Sequence, residues 1–150
     1  MPQAQVTRDS LAADERLRIT EIFYSIQGES RPTGCPTVFV RLTGCPLRCV
    51  YCDTAYAFEG GQKMSFDEIF ASVSQHQAKF VTVTGGEPLA QPQCIPLLKQ
   101  LCDQGYRVSL ETSGALSTEE VDSRVVKIVD FKTPASGEMS RNHYENVNYL

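Results

Sequence analysis

Five short runs rich in β-branched and aromatic residues recur along this chain, and each runs into a stretch of unusual polar, glycine or cysteine residues. They are RITEIFY (18–24), TVFVRL (37–42), FVTVT (80–84), RVSLE (107–111) and KIVDF (127–131). Runs of this length and composition read as β-strands. Helical signals lie between them. Ser65-Phe66-Asp67-Glu68 is a capping box, with Ser65 as N-cap and Glu68 reaching back. The helix it starts should reach about residue 77, with Phe66, Ile69, Phe70 and Val73 on one face. Residues 94–104 (CIPLLKQLCDQ) read as a helix stopped by Gly105. A second capping box, Ser117-Thr118-Glu119-Glu120, predicts another short helix. Alternating strands and helices imply right-handed βαβ units, a parallel sheet and the α/β class.

In such a sheet the chemistry collects in the loops at the strand C-terminal ends. The odd residues fall there. A cysteine-rich loop follows the second strand, and Gly85-Gly86-Glu87-Pro88 follows the third. Glu111-Thr112-Ser113-Gly114 closes the fourth, and residues 130–136 (DFKTPAS) follow the fifth.

A chain of 150 residues forms one domain. Its net charge is -4 and no Lys/Arg run breaks the pattern, which argues against a nucleic-acid partner. No apolar stretch approaches membrane-spanning length. Residues 1–17 are polar and charged, without the apolar centre of a signal peptide, and read as a flexible lead-in. Six cysteines in an unsecreted, cytoplasmic chain are expected to be reduced, so thiolate ligation suits them better than disulfides. Cys94 and Cys102 fall on a predicted helix as small buried hydrophobes. Cys35, beside Pro36 in a turn-rich stretch, reads as structural.

That leaves Cys45, Cys49 and Cys52, spaced C-x3-C-x2-C. Three thiolates are one short of the four that close a structural zinc site or a [4Fe–4S] cluster. Four irons held by three cysteines leave one iron open to a non-protein ligand. The other reading is zinc, with Cys35 or a histidine as fourth ligand, in a binding module without catalysis. The usual zinc pattern is two cysteine pairs, or one pair with two histidines. This chain has one triplet and two histidines, His76 and His143, far apart.

The triplet followed one strand later by Thr84-Gly85-Gly86-Glu87-Pro88 (TGGEP) resembles the radical S-adenosylmethionine (SAM) superfamily. Taken alone, paired glycines make an ordinary βα turn, and a carboxylate beside them can hold an ammonium. The resemblance implies a partial (β/α)6 barrel, a [4Fe–4S] cluster on Cys45, Cys49 and Cys52, and SAM on its open iron. Reductive cleavage of SAM would then give a 5′-deoxyadenosyl radical, and no protein side chain is itself the catalyst. It implies that Gly86 and Glu87 meet the amino group of SAM. Glu111 and Ser113 would bind its ribose and carboxylate, with Lys132 and Ser136 as further contacts. Tyr51 would pack on adenine beside Cys52 and Asp53.

Tyr24 to Ser30 (YSIQGES), Arg41 in FVRLTGC, Cys52-Asp53-Thr54 and DFKTPAS narrow the likeness. Over residues 18–150, read as a C-terminally short radical SAM core, the chain is similar to the 7-carboxy-7-deazaguanine synthases of queuosine biosynthesis. That implies 6-carboxy-5,6,7,8-tetrahydropterin as substrate, ring contraction and loss of ammonia. Ile26, Gln27, Gly28, Glu29, Arg41 and Thr84 would bind the pterin, with the Arg41 guanidinium on the substrate carboxylate, and Thr54 would bind Mg²⁺. It also implies a homodimer and a flavodoxin-type reductant. A second reading in the same class is an activase that places a glycyl radical on a protein partner. Members usually run longer, so a last strand or two, with residues closing the substrate pocket, is expected to be missing. A chain truly ending at residue 150 would keep cluster and SAM binding while losing turnover.

Overall fold

The computed structural model describes residues 15–150. The expected lead-in therefore lies mostly outside the described residues, except at its end. The first strand starts at Arg16, and Leu17 is already buried.

Six strands form one sheet: β1 Arg16–Ile26, β2 Pro36–Leu42, β3 Gln62–Ser65, β4 Phe80–Gly85, β5 Arg107–Thr112 and β6 Val126–Val129. Two helices, α1 Phe66–Ser74 and α2 Cys94–Asp103, pack against it. The strand order is β3-β1-β2-β4-β5-β6. From β2 onward the pairs are parallel, as expected. The wholly parallel sheet is corrected at the other edge, where β1 runs antiparallel to both β2 and β3. The β1–β2 connection shows why. A parallel crossover needs a dozen or more residues. Residues 27–35 are too few, and Gln27 N donating to Cys35 O (3.0 Å) with Gly34 N donating to Gln27 O (2.8 Å) closes them into a tight loop.

Side chains alternate across the sheet. One face carries Val38, Val40, Leu42, Val81, Val83, Val108 and Leu110, all buried in the core. Phe66, Ile69 and Val73 of α1, with Phe70 partly buried beside them, and Leu97, Leu98 and Leu101 of α2 cover them; the first helix thus buries its expected stripe, and Cys94 and Cys102 of the second are buried as expected. In β1 the register slips between Ile19 and Glu21. A bulge of this kind changes which residues face the core, so Ile19 and Ile22, three apart, both reach it.

The opposite face carries the polar side chains of the sheet among a few apolar ones. The register sets two rows across it. One is Phe23, Phe39, Thr82, Ser109 and Val126; the other includes Glu21, Arg41, Thr84, Glu111 and Ile128.

The Ser65 capping box is present: Ser65 Oγ accepts from Glu68 N, and Glu68 Oε2 accepts from Ser65 N at 2.7 Å. The second box makes no helix. Ser117 Oγ accepts from Glu119 N, two residues on, which closes a turn instead. Thr118 N and Oγ1 both donate to the buried Asn146 Oδ1. Those bonds hold the backbone before a first helical turn can close.

Candidate active site

Two adjoining cavities open at the C-terminal ends of the parallel strands. The first, about 240 Å³, is lined by Cys45, Cys49, Cys52, Tyr51, Phe58 and Lys132 among others. The second, about 310 Å³, is lined by Glu29, Arg41, Thr84, Glu111, Ile128 and Gly85 among others. Asp53, Thr54, Ser113, Asp130 and Lys132 border both.

The cysteine loop is anchored to its neighbours by backbone bonds. Gly44 N donates to Ala57 O (2.7 Å), Glu87 N to Gly44 O (2.9 Å) and Val50 N to Ser136 O (3.0 Å). Burial pushes the Cys45 thiol up; its bond with the Leu47 backbone works the other way, and nearby Glu87, Cys49 and Cys52 add to the rise. A thiolate there therefore depends on a compensating cation. Cys35, at the start of β2, lies at the opposite end of that strand from the triplet. Neither Cys35, His76 nor His143 lines the cysteine cavity. Among the described residues, no three Cys, His, Asp or Glu side chains converge on one metal-ion position. A single zinc would need its sulfurs about 2.3 Å from one point. The three cysteines line one cavity of about 240 Å³.

The GGEP turn differs from expectation. Glu87 is fully buried and lines neither cavity. Its carboxylate accepts from Thr112 Oγ1 (2.9 Å), Ser113 N (2.7 Å), Ser113 Oγ and Leu89 N (3.0 Å). An ammonium would find these oxygens already engaged, so the side chain's role here is to tie the turn after β4 to the end of β5. The glycines serve packing. A Cβ on Gly85 would lie 2.6 Å from Leu42 O. One on Gly86 would lie 2.5 Å from Gly44 O and 2.6 Å from Cys45 Cβ. Only glycine lets this turn sit against the cysteine loop.

Gln27 is the second departure. Its side chain is buried rather than presented to a ligand: Nε2 donates to Thr82 Oγ1 (2.9 Å) and Glu111 Oε1 (3.1 Å), and Oε1 accepts from Glu29 N (3.0 Å). It turns the segment after β1 back over the polar face. Ile26 and Gly28 border neither cavity. Glu29, Arg41, Thr84 and Glu111 do share one. Arg41 Nε is held at 2.8 Å by Glu21 Oε1, which also accepts from Tyr56 OH at 2.9 Å.

Lys132 borders both cavities, with its ammonium 2.6 Å from Asp130 Oδ2 and 6.0 Å from the Tyr51 ring centre. Burial opposes its charge, yet Asp130, with Cys49 and Tyr51, outweighs that and raises its pKa. Ser136 is buried, its hydroxyl donating to Thr133 O (2.7 Å) and accepting from Glu138 N (3.0 Å). It borders neither cavity and braces the loop after β6. Asp130 and Phe58 were not singled out from the sequence. Asp130 carried a signal, since it opens the DFKTPAS segment at the end of the fifth predicted strand; Phe58 carried none.

A model of the Radical SAM superfamily matches residues 39–130, which span most of the sheet and the loops after β2, β4 and β5. The chain belongs to the radical SAM superfamily. It is 51% identical over 136 residues to a 7-carboxy-7-deazaguanine synthase of Koribacter versatilis, covering 89% of this chain and 60% of that protein. A namesake from Chlorobaculum tepidum is 51% identical over 132 residues, covering 88% and 60%. The crystal structure of QueE from Escherichia coli superposes with a TM-score of 0.72 at 26% identity, over 83% of this chain and 64% of that one. The chain thus spans about 60% of the length of the curated relatives it matches. Superfamily membership brings a [4Fe–4S] cluster and SAM. The three cysteines around one cavity, with Tyr51, Ser113 and Lys132 on its walls, are a donor set and space that fit them. Among the described residues, no helix is long and apolar enough to cross a membrane.

Proposed function

We propose that this protein is a carbon–nitrogen lyase that converts 6-carboxy-5,6,7,8-tetrahydropterin to 7-carboxy-7-deazaguanine with loss of ammonia, in queuosine and 7-deazapurine biosynthesis. The observation that carries the reading is the pair of cavities that share a wall. The cysteine cavity suits cluster and SAM, and the second places Arg41, Glu29, Thr84 and Glu111 directly beyond Asp53 and Lys132. The relatives' names support the choice of substrate.

When bound, the cluster and SAM supply the radical chemistry. This chain's residues hold and orient the substrate. The Arg41 guanidinium, aimed by Glu21, pairs with the substrate carboxylate. Glu29 accepts from ring and exocyclic N–H groups and Thr84 completes the pocket from β4; Glu111, expected on SAM, lines this second cavity and not the cysteine cavity, and is therefore reassigned to the pterin. Lys132 meets the SAM carboxylate as a point charge, and Tyr51 packs on adenine. Backbone groups of Gly86 and of residues 52–53, together with Ser113, bind the rest of SAM. A Mg²⁺ ion would sit by Thr54, whose Oγ1 lies 3.0 Å from Asp53 Oδ1, with substrate oxygens and waters as its other ligands. A cytoplasmic homodimer served by a flavodoxin-type reductant, with residues 18–150 as its core after a lead-in, completes the reading.

The test is anaerobic reconstitution with iron and sulfide, then incubation with reductant, SAM and the carboxylated tetrahydropterin, read by mass spectrometry. Formation of 7-carboxy-7-deazaguanine is expected. Cleavage of SAM with the pterin recovered intact overturns the substrate assignment.

A further inference from the structure

Arg48 sits within the cysteine triplet, and the mechanism above makes no use of it. The residue is exposed, yet its side chain lies back along the loop. NH1 donates to Cys45 O (2.6 Å) and Leu47 O (2.7 Å), which folds the guanidinium back over the loop that carries the first ligand. The guanidinium carbon lies 4.2 Å from the centre of the Phe58 ring, and Phe58 lines the cysteine cavity. Its backbone N donates to Glu138 Oε1 at 2.8 Å, so the residue is held from both sides. Among the described residues, no carboxylate lies within ion-pair distance of the guanidinium. The loop therefore carries one fixed positive charge outside any side-chain ion pair, with the Glu138 carboxylate on the backbone N–H of the same residue, beside a cavity suited to an anionic thiolate-ligated cluster.

We propose that Arg48 is a positioning residue that fixes a cation against the cluster loop and raises the cluster's reduction potential. This rests on the reading that Cys45, Cys49 and Cys52 hold an iron–sulfur cluster. Charge near a cluster is one of the determinants of its potential. Reduction adds one electron and one negative charge, so a nearby cation stabilises the reduced form. Arginine suits the task because its charge persists at all working pH values and its planar fork both donates to carbonyls and stacks on a ring.

The experiment compares reconstituted wild type with Arg48→Gln and Arg48→Lys, measuring iron and sulfide content and the midpoint potential by EPR-monitored titration with dithionite. The glutamine variant should keep its iron and sulfide while its reduced-to-oxidised ratio at a fixed poise falls about tenfold, equivalent to about 59 mV for one electron. The lysine variant should keep most of the wild-type ratio, because the charge remains. An unchanged ratio in Arg48→Gln overturns the inference. If Arg48→Gln fails to hold a cluster, Arg48→Lys decides: a wild-type potential supports the charge, and a lowered potential or a lost cluster overturns it. Wild type without iron or sulfide would sink the cluster reading itself, a distinct failure.

Discussion

Gln27 Nε2 donates to Glu111 Oε1 at 3.1 Å, joining residues 84 positions apart across the polar face of the sheet. Thr82 accepts from the same nitrogen, and Thr82 Oγ1 lies 2.8 Å from Ser109 Oγ. Gln27→Leu would fill the space but leave Glu29 N without its acceptor and Glu111 without a donor. A buried polar group left unpaired costs about 1–3 kcal/mol. The expected result is a lower urea midpoint with an unchanged slope, together with a raised KM for the pterin as Glu111 loses its aim.

Glu87 gives a sharper contrast. Glu87→Gln keeps the shape but puts an NH2 group opposite donors on Thr112 and Ser113. Hydrogen bonds to a charged group contribute about 1.5–3 kcal/mol. The substitution should destabilise the fold by about that amount, read by denaturant unfolding. If the carboxylate instead served only SAM, stability would be unchanged and only the KM for SAM would rise.

Gly86→Ala tests the packing of the turn. The added Cβ would meet Gly44 O and Cys45 Cβ at 2.5 and 2.6 Å, so the cysteine loop must shift. Reduced iron and sulfide per chain after reconstitution is expected, whereas Gly28→Ala, with open space around it, should load normally.

The strands and both helices were legible because their apolar residues repeat at periods of two and of 3.6. The polar face was legible as alternation, and the loops after β2, β4, β5 and β6 did gather the chemistry. What escaped the sequence was direction and aim. The antiparallel β1–β2 pair follows from loop length, which the alternation argument ignored, and β3 is only four residues of weak strand character. Whether Glu87 and Gln27 face a ligand or a neighbouring strand depends on tertiary partners 25 and 84 residues away. The Ser117 box failed because Asn146, 28 residues on, captured Thr118.

Acid stability should depend on one surface network. Bonds from Lys99, then Arg124, hold Asp103 below its ordinary pKa, and Arg124 holds Asp122 below its own. A depressed carboxylate stabilises the fold at pH above its unfolded value, about 3.9, and that contribution is lost as pH falls through the folded value. Unfolding free energy should therefore fall below about pH 4. Arg124→Gln should flatten that decline, and added salt should weaken the network because Arg124 and Asp103 are exposed.

The central claim is that Cys45, Cys49 and Cys52 alone hold a four-iron cluster with one iron open to SAM. It is tested most directly by metal and sulfide analysis of single cysteine variants, with EPR of the reduced protein recorded with and without SAM. The account predicts that alanine at any of these three positions abolishes the cluster. Alanine at Cys35, Cys94 or Cys102 should preserve it, and SAM should shift the wild-type spectrum. One zinc without iron, a cluster that survives Cys45→Ala, or a spectrum indifferent to SAM would contradict it.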